Sequence, residues 1–593
     1  MKTIKNFLFL LNNRERKKVI LLIGMILVMA ILEMIGVASI LPFMAVLTNP
    51  DLIETNIILN SIYETSNSFG VENEKQFLFT LGVFVLLMLI TSLIFNALTT
   101  YTQLKFIHMR EYSIGKRLVG LYLQQPYDWF LNRHSADLGK NILSEIQYLI
   151  GNGLNPLLDL IAKSTVATSL ILLLILANPN LALIVGLSLG GIYILVFLLV
   201  RNFLNKIGKQ RLKSNKLRFT ALSEAFGAIK EIKINNLEEI YIKRFSKPAQ
   251  NFASTSALSR VISIIPRYVL EGVAFGGILI IILYLMLRSN NFNEILPMLS
   301  LYIFAGYRLM PALQKIYSSL TQITFVNTSL NSLVNEIRNL DEQLQNDDQE
   351  TFKFNELISL KNIEYAYPNS ALVSLKNINL NINARDTIGL IGATGSGKST
   401  IVDIILGLLQ AQKGTLEVDG KLITKKNLRS WQKLIGYVPQ NIFLIDDTIA
   451  ANIAFGIEKD DIDQQKLENA SKIANLYQFV TKELENKYQT IIGERGVRLS
   501  GGQKQRIGIA RALYNDPKIL ILDEATSALD NLTEKVVIDA VNNINKNITV
   551  IMIAHRLSTL SKCDQIYLLE NGKLKNKGTY KELIKFYKET NIR

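Results

Sequence analysis

The segment Gly392–Ser399, GATGSGKS, has residue types suited to binding a phosphate chain. Its glycines let the backbone wrap so that N–H groups point at phosphate oxygens, and a following helix adds the positive end of its dipole. We expect Lys398 to reach the β- and γ-phosphates and Ser399 to coordinate Mg²⁺. The strand-like run TIGLI precedes the segment and the helical run TIVDIILGLL follows it. This order favours a nucleotide site over a chance glycine-rich turn.

A second candidate for nucleotide chemistry is KILILDEATSALD, residues 518–530. The apolar run Ile519–Leu522 predicts a buried parallel strand. Asp523 stands at its carboxyl end, where α/β sheets place ligand groups, and suits a Mg²⁺ contact through water. Glu524 follows, and a carboxylate there can act as general base on an attacking water. With the phosphate loop, this acidic pair predicts nucleotide hydrolysis.

Further motifs accompany these two segments over roughly residues 353–580. The run Leu499–Gln503, LSGGQ, resembles the signature of the ATP-binding cassette (ABC) family. YVPQN resembles the Q-loop of that family, IAHRLST its switch-histidine segment, SALD its D-loop and YAYP its adenine-stacking segment. The segment Glu494–Gly496 is similar to the X-loop of exporters. The motifs stand in the order of the family, so the resemblance covers the whole C-terminal region.

The resemblance implies a role for each matching residue. The expected catalytic residues are Glu524, His555 and Gln440, and the expected Mg²⁺ ligands are Ser399, Gln440 and Asp523. The expected nucleotide-binding residues are Tyr367, Gly392, Ala393, Thr394, Gly395, Ser396, Gly397, Lys398, Ser399, Thr400 and Gln440. The residues expected to meet the ATP of a partner subunit are Leu499, Ser500, Gly501, Gly502 and Gln503, with Ser527 and Asp530 in the D-loop.

The same resemblance implies how the protein assembles and what it consumes. In ABC proteins two nucleotide-binding domains pack head to tail, and each ATP lies between one phosphate loop and the LSGGQ of the other domain. This sequence carries one set of these motifs. The resemblance therefore implies a half-transporter that works as a homodimer, with ATP and Mg²⁺ as cofactors. The implied enzyme is an ATPase that drives transport.

The composition fits a chain that is partly membrane and partly soluble. Of its 593 residues, 49% are hydrophobic and 19% are charged, and the net charge is +15. Residues 201–218 carry seven Lys or Arg and no acid, whereas residues 50–74 carry five acids and no base. This asymmetry is typical of the positive-inside rule and disfavours a nucleic-acid partner. The single cysteine, Cys563, excludes an intrachain disulfide and indicates no metal site.

Six apolar stretches are long enough to cross a bilayer, and they lie near 19–47, 77–101, 154–177, 181–200, 264–288 and 296–320. An alternation of short strand-like and helical runs follows from about residue 353. The predicted fold class is therefore multi-domain. An all-α, six-helix transmembrane domain of the ABC exporter type (1–328) precedes a linker (329–352) and an α/β P-loop nucleotide-binding domain (353–593).

Two long segments on the basic side are expected to form helices that project into the cytosol and turn back. The turns are expected at 126–134 and 233–241, and the resemblance to exporters makes them candidate coupling helices. The N-terminal run MKTIKNFLFLLNNRERKK lacks the usual form of a cleavable signal peptide and predicts an interfacial helix. The run near 52–65 predicts a short amphipathic helix on the outer surface. The expected location is the bacterial inner membrane, with the N-terminus and the nucleotide-binding domain in the cytoplasm.

Charged residues inside the apolar stretches need an explanation, since each costs about 2.5–3.5 kcal/mol on insertion scales. The residues that stand out are Glu33, Arg308 and Lys315, while Arg267 and Glu271 can pair at a spacing of four. One interpretation is mutual pairing, such as Glu33 with Arg308, that holds helices together. The other is that Arg308, Lys315 and Arg267 line a cavity for an anionic head group.

Two short stretches bear on the cargo. IPRYVLEGVAFGG (265–277) and GYRLMPALQKIY (306–317) resemble the bacterial flippases for lipid-linked oligosaccharides, the PglK type. That resemblance implies transfer of a polyprenyl-pyrophosphate-linked glycan to the outer leaflet. Two alternatives stay open: an exporter of lipid A, phospholipids or drugs, and a peptide or protein secretion transporter. The six apolar stretches exclude a soluble cassette ATPase.

Overall fold

The computed structural model describes residues 2–67, 71, 73–177, 179–269, 271–272, 275–276, 279, 296–341, 352–368, 370, 372–524, 548–554 and 557–590. The chain forms two compact units. The first comprises Met1–Gln125 and Arg133–Leu344, and the second comprises Pro126–Asn132 and Gln345–Arg593.

The first unit is built from helices. Two π-helical turns, Asn141–Glu145 and Ile150–Leu154, interrupt its third long helical segment. Its helices are α1 (Lys2–Leu10), α2 (Asn13–Ala38), α3 (Ile40–Thr48), α4 (Leu52–Thr55), α5 (Ile57–Asn67), α6 (Glu74–Leu123), α8 (Ser135–Lys140), α9 (Ile146–Leu149), α10 (Asn155–Ala177), α11 (Pro179–Gly227), α12 (Ile229–Ile234), α13 (Glu238–Ile264) and α14 (Leu296–Asp341). The remaining helix of this part of the chain, α7 (Tyr127–Leu131), belongs to the second unit.

Four helical segments among the described residues are long and apolar enough to cross a membrane, namely Asn13–Thr48, Glu74–Leu123, Ser135–Leu176 and Gly190–Gly227. They agree with the first four predicted spans. The predicted fifth span, 264–288, lies largely outside the described residues, and the sixth falls within α14. The total of six therefore stays a prediction.

The two expected turns are present as short helices between long ones. Helices α6 and α11 have 50 and 49 residues, and at about 1.5 Å per residue each is far longer than a bilayer core of about 30 Å. The short α7 follows α6, and α12 with the turn at 235–237 joins α11 to α13.

The start of α6 is capped by the side chain of Asn73, which accepts a hydrogen bond from the Gln76 N–H.

The two short amphipathic segments are helical, but each is divided between two helices. The N-terminal run forms α1 and the start of α2, and the run near 52–65 forms α4 and most of α5. Their positions at the membrane surfaces stay predictions. Helix α1 is anchored to α14, because the Asn6 side-chain amide donates to Asn331 Oδ1 at 2.7 Å and Phe7 is buried. The side chain of Leu59 on α5 is buried in a small apolar cluster with Phe77 of α6. Apolar contact with neighbouring helices thus stabilises both segments.

The domain boundary at residue 328 stays a prediction, and the first part of the segment 329–352, expected as a helix tail and linker, is helical in the structure. Helix α14 continues to Asp341 and the first compact unit to Leu344. The reason is a stripe of buried side chains, Leu330, Leu333 and Ile337, at helical spacing. Polar residues between these three make the average polarity of the segment high, so the apolar stripe is not evident from composition alone.

Helices α2, α10 and α14 share an apolar core in the first unit, in which small residues such as Ala30, Ala162 and Ala305 allow close approach. Beyond this core lies a buried polar cluster. The Arg211 guanidinium contacts Glu145 Oε2 at 2.7 Å and stacks 3.5 Å from the centre of the Tyr148 ring. Buried charges need such partners, because an isolated one is strongly unfavourable.

The second unit contains two sheets, and the phosphate loop lies at the carboxyl edge of the larger one. Its strand order is β10-β9-β3-β8-β7-β6, parallel except for the β9–β10 pair, which confirms the predicted largely parallel sheet. The smaller sheet, β2-β1-β4-β5, is antiparallel. The strands are β1 (Leu357–Ala366), β2 (Val373–Asn383), β3 (Thr387–Gly392), β4 (Lys413–Val418), β5 (Lys421–Leu422), β6 (Ile435–Val438), β7 (Ile519–Asp523), β8 (Thr549–Ile553), β9 (Gln565–Glu570) and β10 (Lys573–Gly578).

Helices of the second unit pack on the larger sheet through two apolar clusters. Strands β7 and β8 are buried along their whole length, which explains why their sequences are continuous apolar runs. The helices are α15 (Lys398–Ile405), α16 (Leu428–Gln432), α17 (Ile449–Ile453), α18 (Gln464–Ile473), α19 (Gly501–Leu513) and α20 (Tyr580–Thr590). Single helical turns occur at Lys459–Asp461, Phe479–Glu483, Lys487–Gln489, Glu494–Gly496 and Leu557–Leu560.

Substituting Gly208 should destabilise the first unit. A Cβ at Gly208 on α11 would lie 2.2 Å from the Phe325 carbonyl oxygen on α14, so the helices would have to separate. Such overpacking costs about 1–3 kcal/mol. We expect Gly208→Ala to lower the melting temperature of the purified full-length protein in a thermal-shift assay. Gly191→Ala is the matched control, since a Cβ there meets no described atom within 4 Å. An equal loss in both variants would contradict the close approach of the two helices.

Candidate nucleotide site and intramembrane charges

The phosphate loop follows β3 and opens α15. Gly397, the residue before α15, has φ +102°, and a Cβ there would lie 2.6 Å from Leu375 Cδ2. A Cβ at Gly392 would lie 2.3 Å from the Leu569 carbonyl oxygen. Only glycine fits these two positions, because the loop runs directly against neighbouring backbone and side chains. The strand, loop and helix predicted for this segment are confirmed.

Lys398 is buried at the first position of α15. Its ammonium donates hydrogen bonds to the carbonyl oxygens of Gly392 and Ala393 at 2.8 and 3.0 Å, so the loop curls around its own cation. Burial lowers the pKa of Lys398, and the charges of Glu524 and Asp523 oppose that effect. The two acids therefore act on the same group that is expected to meet the phosphates.

The hydroxyl groups around the loop differ in their surroundings. Ser396 Oγ is buried without a hydrogen-bond partner among the described residues, so it is available to an oxyanion. Ser399 is exposed at the loop surface. Tyr367 lies close by, with its hydroxyl 3.2 Å from Thr400 Oγ1. The predicted aromatic residue and the predicted phosphate loop are thus in direct contact.

The acidic pair stands where the strand pattern places it. Asp523 is the buried last residue of β7, and Glu524 follows with φ +50°. The Glu524 N–H donates to the Ile553 carbonyl at the end of β8, which fixes the turn. The Gln440 side-chain amide, beyond β6, donates to Glu524 Oε2 at 2.7 Å. The structure therefore joins the predicted general base to the predicted Q-loop residue.

Two residues of this region escaped the motif analysis. Burial and the neighbouring Asp523 raise the pKa of Asp403 to about 6. Burial, followed by the charges of Asp523 and Asp403, raises the pKa of Tyr437. The sequence signal for both was position alone, since Asp403 lies in the helix after the phosphate loop and Tyr437 in the strand before Gln440.

The LSGGQ segment forms the start of α19. Ser500 caps the helix, because its hydroxyl accepts from the Gln503 N–H while its own N–H donates to Gln503 Oε1 at 2.8 Å. The Lys504 ammonium donates to the Arg495 carbonyl, which ties the Glu494–Gly496 turn to the same helix. This turn has a non-glycine residue at positive φ, Arg495, at +53°. The segment thus presents the N-terminus of a 13-residue helix.

Three further residues predicted for the site, Ser527, Asp530 and His555, lie outside the described residues.

Each candidate cavity residue has an acidic partner in the structure. Arg308 Nη1 lies 3.4 Å from Glu33 Oε1, which is the pairing expected under the first interpretation. Lys315 Nζ lies 2.9 Å from Asp159 Oδ2. Arg267 Nε lies 2.5 Å from Glu271 Oε1, as the spacing of four predicts.

Asp159 was missed by the sequence analysis. It lies on α10, where Gln103 Nε2 of α6 donates to its other oxygen, Oδ1, at 2.7 Å. The signal that was present is an Asp and a Lys four residues apart, Asp159 and Lys163, at the start of the third apolar stretch. Every charge in such a stretch needs a partner, so Lys315 could have been matched to Asp159.

A phosphate loop and an LSGGQ helix in one α/β unit, on a chain with membrane-length helices, define a class of ATP-driven membrane transporter. The family models agree, since residues 375–527 match "ABC transporter" and residues 20–311 match "ABC transporter transmembrane region". The chain belongs to the ABC transporter family. Within it, the chain is an ABC exporter whose ATP-binding domain couples ATP hydrolysis to transport.

Similar proteins support this assignment over nearly the whole chain. The chain is 30% identical over 485 residues to an ATP-dependent lipid A-core flippase of Salmonella paratyphi A, covering 80% of each chain. It is 29% identical to the heterocyst differentiation ATP-binding protein HepA of Nostoc sp., covering 96% of this chain and 92% of that one. A solved bacterial Atm1-family ABC exporter with ATP bound shares the fold, with a TM-score of 0.78, 21% identity and 97% coverage of both chains.

Replacing the proposed general base should stop hydrolysis without abolishing nucleotide binding. We expect Glu524→Gln to reduce the ATPase rate about a hundredfold or more, because the amide keeps the shape but cannot take a proton. The remaining side-chain oxygen can still accept from Gln440. Phosphate release and binding of a fluorescent ATP analogue should be measured on the same sample. An unchanged hydrolysis rate would show that another group is the base.

Proposed function

We propose that the chain is an ATP-driven flippase for a polyprenyl-pyrophosphate-linked oligosaccharide. It would work as a homodimer in the bacterial inner membrane, with the N-terminus and nucleotide-binding domain on the cytoplasmic side. The observation that carries the cargo proposal is the placement of Arg308 and Lys315. Both are cations of α14, and both keep accessible surface although acidic residues lie against them.

Different residues of the nucleotide site would contact the phosphates, the base and Mg²⁺. The loop backbone and Lys398 would bind the β- and γ-phosphates, with the Tyr367 ring against the base. Oxygen donors suited to Mg²⁺ are Ser399, Gln440 and Asp523, since hard cations prefer such ligands. Ser399 is exposed at the loop. Asp523 is buried near a second carboxylate, Asp403, whose pKa is raised first by burial and then by the charge of Asp523. The donor set fits the ion, which would neutralise phosphate charge.

Glu524 would orient and deprotonate the attacking water while Gln440 holds its carboxylate in place. The proton would pass to Glu524 Oε as the water oxygen attacks the γ-phosphorus, and the bond from that phosphorus to the β–γ bridging oxygen would break to release ADP. His555, at the end of the run ITVIMIA, would contact the γ-phosphate as the resemblance implies. The LSGGQ helix would meet the ATP of the partner subunit through its positive N-terminus.

The geometry of α14 suits a phosphate-bearing cargo. Arg308 and Lys315 are seven positions apart in the sequence, which places them about 10 Å apart on one helix face. Arg binds phosphate oxygens in a bidentate manner and Lys acts as a compact charge. An anionic head group could contact the two in sequence while its lipid tail stays in the bilayer. Arg267, exposed beside Glu271, would be a further contact.

A second candidate cargo is a phosphate-bearing lipid without a polyprenyl carrier, such as lipid A or a phospholipid. The observation in its favour is the similarity to the lipid A-core flippases. The same cations would serve either cargo, so transport assays with both lipids separate the two candidates.

The homodimer with shared sites can be tested by mixing two damaged chains. Lys398→Ala removes the phosphate cation and Ser500→Arg blocks the LSGGQ helix. In a purified heterodimer, shared sites leave one site intact, and about one nucleotide per dimer should be occluded. Sites formed within one chain would leave none. Each variant as a homodimer is the control, and melting temperatures are needed because Ser500 also caps α19.

The cargo can be tested with Arg308→Ala/Lys315→Ala in liposomes. We expect the amount of pyrophosphate-linked glycan flipped per ATP hydrolysed to fall at least about tenfold, because two phosphate contacts are lost. The control is Arg201→Ala/Lys206→Ala, which removes two exposed cations from α11. A folded double variant that flips the glycan at the wild-type ratio would contradict the cargo site. If only lipid A or phospholipid transport falls, the second candidate replaces the first.

A further inference from the structure

The carboxylate of Glu33 is buried but poorly paired. Its side chain is 7% exposed, and its Oε1 lies 3.4 Å from Arg308 Nη1. A well-made ion pair measures about 2.7–2.9 Å. The second oxygen, Oε2, is buried without a hydrogen-bond partner among the described residues. A carboxylate that serves only to lock helices together would be expected to use both oxygens.

Asp159 stands in the corresponding position behind Lys315. Its side chain is 18% exposed, whereas that of Lys315 is 45% exposed. Gln103 holds one carboxylate oxygen at 2.7 Å and Lys315 holds the other at 2.9 Å. Asp159 is thus fixed from α6 while Lys315 retains accessible surface.

The two pairs share one arrangement, with the acid inside and the cation outside. Arg308 is 25% exposed over the 7% exposed Glu33, and Lys315 is likewise more exposed than Asp159. The open side of this stripe includes the exposed ring of Tyr307 on the same helix. An anion that approaches α14 from the open side therefore meets the cations first and has the carboxylates behind them.

We propose that Glu33 and Asp159 set the affinity and charge selectivity of the anion site on α14. This inference rests on the cargo site proposed above and adds two residues to it. Each carboxylate offsets part of the attraction of its cation for an anion. The carboxylate and the bound anion would be only a few ångströms apart, and their repulsion is strong in a medium of low dielectric constant.

The consequence is selective but reversible binding. A neutral head group gains little from a cation that is already paired. A pyrophosphate has more charge and more acceptor oxygens, and a guanidinium with five N–H donors can bind it while still touching Glu33. The retained carboxylate then favours release of the anion, which a transporter needs at the end of each cycle. Glu33 and Asp159 are positioning residues, since they would act through Arg308 and Lys315.

The test uses the full-length transporter in lipid nanodiscs. ATPase activity is titrated with polyprenyl pyrophosphate, polyprenyl monophosphate and polyprenol. We expect Glu33→Gln and Asp159→Asn each to lower the half-saturating concentration of the pyrophosphate lipid about three- to tenfold, because the repulsion is removed. The maximal stimulated rate should fall at the same time, because release becomes slower. The ratio of the half-saturating concentrations of the monophosphate and pyrophosphate lipids should move closer to one.

Two controls separate this role from a structural one. Glu33→Asp retains the charge and should keep the half-saturating concentration of the wild-type protein. Glu224→Gln removes an exposed acid of α11 that lies 3.9 Å from Arg244 elsewhere in the first unit, and should change nothing. A residue that only locks helices would lower the melting temperature without tightening the response to the anionic lipid.

The possible failures are distinguishable. If the wild-type protein distinguishes pyrophosphate lipid from polyprenol but neither Glu33→Gln nor Asp159→Asn shifts the half-saturating concentration downward, this inference is wrong and the cargo proposal stands. If the wild-type protein responds equally to the pyrophosphate lipid and the alcohol, the cargo proposal fails and this inference fails with it. Because the two variants lie on different helices, a folding defect in one leaves the other as a test.

Discussion

A charge that is removed from water has to be compensated, and much of this structure follows from that constraint. In the first unit, ion pairs join α14 to α2 and to α10, and Arg211 joins Glu145 in a buried cluster beyond the apolar core. Unpaired, such groups would cost several kcal/mol each. Paired, they specify which helices are neighbours, a task that interchangeable apolar contacts between Leu and Ala perform poorly.

The same constraint shapes the nucleotide site. Lys398 is buried and satisfies its ammonium with two carbonyl oxygens of its own loop. Asp523 and Asp403 are close enough to interact, and burial followed by the charge of Asp523 raises the pKa of Asp403. A site with an enclosed cation on one side and clustered acids on the other suits a polyanion that arrives with a divalent metal.

The first unit is built around long continuous helices, of which α14 is one. Helix α14 runs without interruption from the region of Arg308 to Asp341, and its final turns are buried against α1 and neighbouring helices. Ion pairs at Arg308 and Lys315, on either side of Pro311, and apolar packing over the last turns hold α14 against its neighbours. The partly exposed cations Arg308 and Lys315 are therefore held in defined positions by their acidic partners.

The sequence by itself determined the family, the order of the two parts and the nucleotide-binding motifs, whose individual residue roles stay predictions. These features are local: a phosphate loop, an acidic strand end and an LSGGQ helix start are each fixed by residues within a few positions of one another. It also determined four membrane-length helices, because hydropathy is a property of continuous segments. The tertiary structure decided what depends on residues distant in the chain. It paired Lys315 with Asp159, placed Asp403 beside Asp523, joined Gln440 to Glu524 and extended α14 through a stretch that looked like linker. Partner choice depends on which helices and strands become neighbours, and packing alone establishes that.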